Sequence, residues 1–105
     1  MSNTTNILQQ IKALVLATDP GATLILFGSS DRGDPRADSD IDILVLLDKD
    51  KITNEDRERI GYPLHHLEMN NDTSINPIFY TKNTWNTKLT ITPFHKNVTK
   101  DGIPL

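Results

Sequence analysis

Thr23-Leu24-Ile25-Leu26-Phe27-Gly28-Ser29-Ser30-Asp31-Arg32-Gly33-Asp34-Pro35-Arg36-Ala37-Asp38-Ser39-Asp40-Ile41-Asp42-Ile43-Leu44-Val45-Leu46-Leu47 decides how this chain folds. Its first five residues are apolar and partly β-branched and stop at Gly28, which predicts a short buried strand. Residues 29–39 are polar and hold Gly33 and Pro35, the composition of a loop. Ile41–Leu47 reads as a second strand, polar at its entry and apolar on both faces further along, as a central strand requires. Eleven residues separate Gly28 from Asp40. A parallel crossover needs a dozen or more residues, usually with a helix, so the two strands are expected to pair antiparallel. That pairing brings Gly28-Ser29 and Asp40-x-Asp42 to one end of the sheet.

The flanking elements follow from the same rules. Before the first strand, Ile7, Leu8, Ile11, Leu14 and Val15 recur at helical spacing, with Thr4 and Thr5 able to cap and Asp19-Pro20-Gly21 to stop, which predicts an amphipathic helix over about residues 5–18. After the second strand, Thr53-x-x-Asp56 resembles a capping box and opens a charged helix. That helix is expected to break near Gly61-Tyr62-Pro63 and resume through Leu64–Met69. Asn70-Asn71-Asp72 reads as a turn and Ile75–Tyr80 as a third strand, which Pro77 assigns to an edge or a bulge. Short helices are then expected to pack Trp85, Phe94 and Val98 onto the sheet. The fold class is α/β (α+β), a small mixed sheet flanked by helices, with residues 1–105 as one domain.

The chain has 105 residues, room for one modest core. A formal net charge of -3 offers no basic field for nucleic acid and favours a small substrate or a protein partner. The absence of cysteine excludes disulfides and thiolate zinc sites and agrees with a cytoplasmic setting. No apolar run is long enough to span a bilayer, and Met1–Asn6 lacks the basic start of a leader, so a non-membrane, unprocessed protein is expected. The sequons at Asn3, Asn71 and Asn97 are then chance matches.

Asp40 and Asp42 stand two apart on a strand, so both leave one face with Cα atoms about 7 Å apart. Carboxylates so placed repel unless a cation lies between them, and magnesium is the cation typically held by one or two carboxylates together with substrate phosphates. A pair of such ions about 3.5–4 Å apart stabilises the attacking and leaving oxygens of an in-line phosphoryl displacement. Gly28 permits close approach of backbone to a phosphate, Ser29 offers a hydroxyl, and Arg32 a positive contact. Taken alone, either half reads as solvated acids or a plain turn. Together, joined by Arg32-Gly33 and Ser39, they read as a phosphate-and-metal site.

Residues Gly28 to Val45 resemble the Gly-Ser-x-x-Arg-Gly…Ser-Asp-Ile-Asp-hydrophobic signature of the minimal nucleotidyltransferases, a branch of the DNA-polymerase-beta-like superfamily. The resemblance implies that Gly28 and Ser29 hold a triphosphate, that Asp40 and Asp42 bind metal, and that Ser39 supports the turn into the strand. It also implies a two-ion magnesium site and ATP as nucleotidyl donor. The family carries a third Asp near the start of a later strand before a Trp-containing segment. Aligned through Trp85, that position is Asn76, counted here with Asp40 and Asp42 as the catalytic set. An amide oxygen can ligate magnesium but brings no charge and cannot act as a base. Glu68 and Asp72 are candidates to substitute, although both read first as surface acids.

Other motifs fail on chemistry. Gly28-x-x-x-x-Gly33 has P-loop spacing, but Asp34-Pro35 stands where Lys-Ser/Thr is needed. Asp38–Asp42 opens like an EF-hand, but Ile43 and Lys49 replace its glycine and glutamate. Arg32-Gly33-Asp34 is an adhesion tripeptide without meaning in a protein that is not secreted. His65 and His66 diverge by about 100° on a helix and cannot share a metal; they and His95 read as helix-surface residues. Two functions remain. One is transfer of AMP from ATP to a hydroxyl of a protein partner, which the resemblance identifies as a helical HEPN-type toxin. The other is a catalytically degenerate binding module of the same fold that masks its partner.

Overall fold

The computed structural model of the chain describes residues 3–27, 41–71 and 73–105, with side chains from residue 7 onward. Helix α1 spans Asn3–Thr18, strand β1 Thr23–Phe27, strand β2 Ile41–Leu47, helix α2 Asn54–Asn71 and strand β3 Ile75–Thr81. Helices α3 (Lys82–Asn86) and α4 (Pro93–Asp101) and a two-residue strand β4 (Ile103–Pro104) follow. The described residues form a mixed sheet in the order β3-β2-β1-β4, in which β1 is antiparallel to β2 and β4, and β2 is parallel to β3. The fold class is the one expected, and the antiparallel pairing argued from the short connection is present, with Phe27 opposite Asp42.

Alternation along β2 sorts its side chains to two layers. Ile41, Ile43, Val45 and Leu47 join Leu24 and Leu26 in a cluster with Ile7, Ile11 and Val15 of α1 and Ile60, Leu64 and Leu67 of α2. Leu44 and Leu46 turn to the other face, where Trp85 of α3 and Val98 of α4 cover them and Ile25, Phe27, Ile78, Tyr80 and Phe94 pack alongside. Trp85 meets Phe94 edge-on at 5.6 Å, and Phe94 meets Phe27 edge-on at 5.3 Å. Asp42 shares the face of Leu44 and Leu46, at its open end.

Two expectations are corrected. Helix α2 does not break at Gly61-Tyr62-Pro63 but runs on to Asn71 with Pro63 inside it, so Asn70 and Asn71 are helical; Asp72 lies outside the described residues. A proline inside a helix removes one backbone hydrogen bond at about 3 kcal/mol. Ile60, Leu64 and Leu67, buried on both sides of it, provide the packing that outweighs this loss. The second correction is β4, which the sequence did not announce. It is held by Leu105 N–H donating to Leu24 O at 2.9 Å, and by Gly102, where a Cβ would lie 2.5 Å from Val98 O and 2.7 Å from Ile25 Cγ2. Glycine is required there by close approach.

The capping box at α2 forms in both directions. Asp56 N–H donates to Thr53 Oγ1 at 3.1 Å, and Thr53 N–H and hydroxyl each donate to Asp56 Oδ2 at 3.0 Å. The buried Asp56 also receives Lys49 Nζ at 2.6 Å and Arg59 Nη2 at 3.0 Å. Hydrogen bonding from Lys49, then from the Thr53 backbone, holds this carboxyl well below the usual carboxylate range against the opposing effect of burial. No described helix is long and apolar enough to cross a membrane.

Candidate functional site

Three strands contribute side by side at one end of the sheet. The parallel register sets Asn76 of β3 beside Asp42 of β2, and the antiparallel register sets Phe27 of β1 on the other flank. Asn76 Nδ2 donates to Asp42 Oδ1 at 3.3 Å, with Asn76 exposed and Asp42 half-buried. Asp42 Oδ2 has no hydrogen-bond partner among the described residues. Because β1 ends at Phe27 and β2 begins at Ile41, the connection between them leaves and re-enters the sheet at this end.

Of the residues singled out in the sequence, Asp42 and Asn76 are thus brought together. Gly28, Ser29, Arg32, Ser39 and Asp40 lie outside the described residues, as does Asp72. No group of three His, Cys, Asp or Glu side chains placed to hold a metal occurs among the described residues. The polar side chains at this end are a carboxylate, whose oxygens are hard ligands, and an amide, whose NH2 group donates hydrogen bonds and does not ligate a metal. The oxygens suit magnesium, a cation content with one or two protein carboxylates when phosphates complete its shell.

Glu68 has a different task from either reading given to it. Its Oε2 accepts Ile75 N–H at 2.8 Å and its Oε1 lies 3.2 Å from His65 Nδ1, while its own carbonyl accepts Thr73 N–H at 3.2 Å. Helix α2 packs on the face of Ile41 and Ile43, opposite the face that carries Asp42. Glu68 therefore ties the start of β3 in place from behind and does not stand in for a third carboxylate. Ile41 N–H donating to Ser74 O at 2.8 Å secures the same entry to β3 from the β2 side. Nothing in the sequence marked Glu68 for this, since the bond spans seven residues and depends on where α2 ends. His95 is also more than a surface residue, for its ring lies against Trp85 with centroids 4.5 Å apart.

Solved structures with this fold include toxin–antitoxin complexes. One, crystallised with AMP-PNP, is 24% identical with a TM-score of 0.64, over 91% of this chain and 69% of that one. A second, the toxin–antitoxin MntA–HpeT with two aspartates two positions apart changed to glutamate, is 21% identical with a TM-score of 0.61, over 91% and 69% of the two chains. A third, MntA–HpeT with one tyrosine changed to alanine, is 23% identical with a TM-score of 0.59, over all of this chain and 72% of that one. At these identities the likeness establishes the shared fold. No curated protein sequence matches significantly. The profile of the nucleotidyltransferase domain matches residues 6–104, nearly the whole chain, and the protein belongs to that family.

Proposed function

We propose that this chain transfers AMP from ATP to a hydroxyl on a protein partner, and that it is the cytoplasmic antitoxin of a pair whose toxin is a helical HEPN-type protein. The observation that carries this reading is the half-buried carboxylate of Asp42, beside Asn76, at the end of the sheet where β1 finishes and β2 begins. Family membership supports the transferase chemistry. The toxin–antitoxin structures of the same fold, one with AMP-PNP, support the donor and the kind of partner.

In this reaction the acceptor oxygen attacks the α-phosphorus, a new P–O bond forms, and the bond to the bridging oxygen breaks so that pyrophosphate leaves with its electron pair. The hydroxyl proton passes to solvent, because the amide of Asn76 cannot accept it. Magnesium, when bound, neutralises charge on the triphosphate. Asp40 and Asp42 would hold it, while Gly28, Ser29 and Arg32 would bond phosphate oxygens and Ser39 would support the turn into the strand. With a net charge of -3, protein is favoured over nucleic acid as acceptor.

Asn76 beside Asp42 favours a second reading, in which the partner is neutralised by burial of its own active surface. Masking requires an interface on the order of 1,200 Å² or more and neither aspartate. Mass spectrometry of partner recovered with wild-type or Asp40→Ala protein separates the two. Transfer predicts a partner heavier by AMP only with the wild type. An unmodified partner inhibited by both proteins supports masking, and recovery of no helical partner refutes both forms.

A further inference from the structure

We infer that Asn76 is a positioning donor for Asp42 and not a metal ligand, so that the site takes one divalent ion with its nucleotide instead of two. The inference rests on the metal-nucleotide reading above and departs from its two-ion form. An ionised carboxylate has only acceptors to offer. At 3.3 Å from Asp42 Oδ1, the Asn76 amide must present its N–H, and its oxygen then points away from the space the two side chains share. An ion bridging Asp42 and residue 76 needs the reverse orientation, with an oxygen from each side. Two carboxylates on this registered pair would repel and so draw a second cation between them; with asparagine there is no repulsion to relieve. Glu68 cannot restore that charge, since both of its oxygens have partners and it sits behind the opposite face of the sheet. The donated hydrogen bond instead fixes the Asp42 rotamer through Oδ1, and among the described residues Oδ2 has no partner.

Manganese(II) is the probe, counted by electron paramagnetic resonance and calorimetry on the full chain in the presence of a non-hydrolysable ATP analogue. The wild type should bind one ion per chain and Asn76→Asp two. Asn76→Ala should keep the stoichiometry at one but weaken the ion's affinity roughly three- to ten-fold, through loss of the orienting hydrogen bond. Asn76→Ser, which retains a donor, should recover part of that loss, whereas a role confined to folding would change the melting temperature and leave the affinity alone. Two ions on the wild type, with one lost in Asn76→Ala, overturn the inference while leaving the metal-nucleotide reading intact. Retention of the single ion in Asp42→Ala, or no ion in any variant, overturns that reading and the inference with it.

Discussion

Replacing Asn76 by aspartate tests the geometry of the site through stability alone. The change is nearly isosteric and exchanges a donor 3.3 Å from Asp42 Oδ1 for a second anionic oxygen. Registered strands lie about 4.8 Å apart, which sets the two charge centres about 5 Å apart. Coulomb repulsion at that separation is about 0.8 kcal/mol in bulk water and about 3 kcal/mol at an effective dielectric of about 20. Because Asn76 is exposed and Asp42 half-buried, the lower end applies, and the lost hydrogen bond adds about 0.5 kcal/mol. The sum, about 1–2 kcal/mol, corresponds to a fall in Tm of about 5–10 °C for a domain of this size. Circular dichroism melts in chelator should show this fall, and millimolar magnesium should reverse it by placing a cation between the carboxylates. A melting temperature in chelator equal to that of the parent protein would refute the adjacency of the two side chains.

Asp56→Asn should destabilise the fold by about 1–3 kcal/mol at neutral pH, since it leaves Lys49 and Arg59 facing an amide; both are partly exposed and can turn to solvent, which limits the loss. The carboxyl is depressed on folding, so its stabilisation is complete above its ordinary value of 3.8 and is lost as pH falls below it. Acid melts of the wild type should therefore weaken below about pH 4 more steeply than those of Asp56→Asn. Gly102→Ala should lower stability by about 1–3 kcal/mol through collision with Val98 O and Ile25, and amide exchange at Leu105 should quicken first. Glu68→Ala should weaken divalent-ion affinity by loosening the entry to β3, and Glu68→Gln, which keeps an accepting oxygen for Ile75 N–H, should restore it; equal affinity in both variants would show that Glu68 does not position the site.

The sheet was legible where side-chain alternation and a short connection left one solution. Ile41–Leu47 and Thr23–Phe27 needed no tertiary information, and the eleven residues between Gly28 and Asp40, most of them polar, were too few for a helical crossover. Pro77 pointed to an edge or a bulge for the same local reason, and β3 takes the edge of the described sheet. Helix α2 was misjudged because the rule for proline is local, while what holds the helix together is distant: Ile60, Leu64 and Leu67 pack against strands and α1. Strand β4 escaped notice because two residues carry no periodicity, and its anchor is the backbone of Leu24. At the site, alignment through Trp85 placed Asn76, and the parallel register sets it beside Asp42. Which of its amide atoms faces the carboxylate depends on the third dimension alone.

Pro77 follows Asn76 directly, and this guards the identity of the side chain as well as the position of the strand. An exposed asparagine usually ages to aspartate by attack of the next residue's backbone nitrogen on its own side-chain carbonyl, with loss of ammonia through a cyclic imide. Proline has no N–H to lose, so that route is closed at Asn76. An aspartate is the one product that would add the missing negative charge beside Asp42. Whatever the level of activity set by an amide at this point, it does not drift upward as the protein molecule grows old.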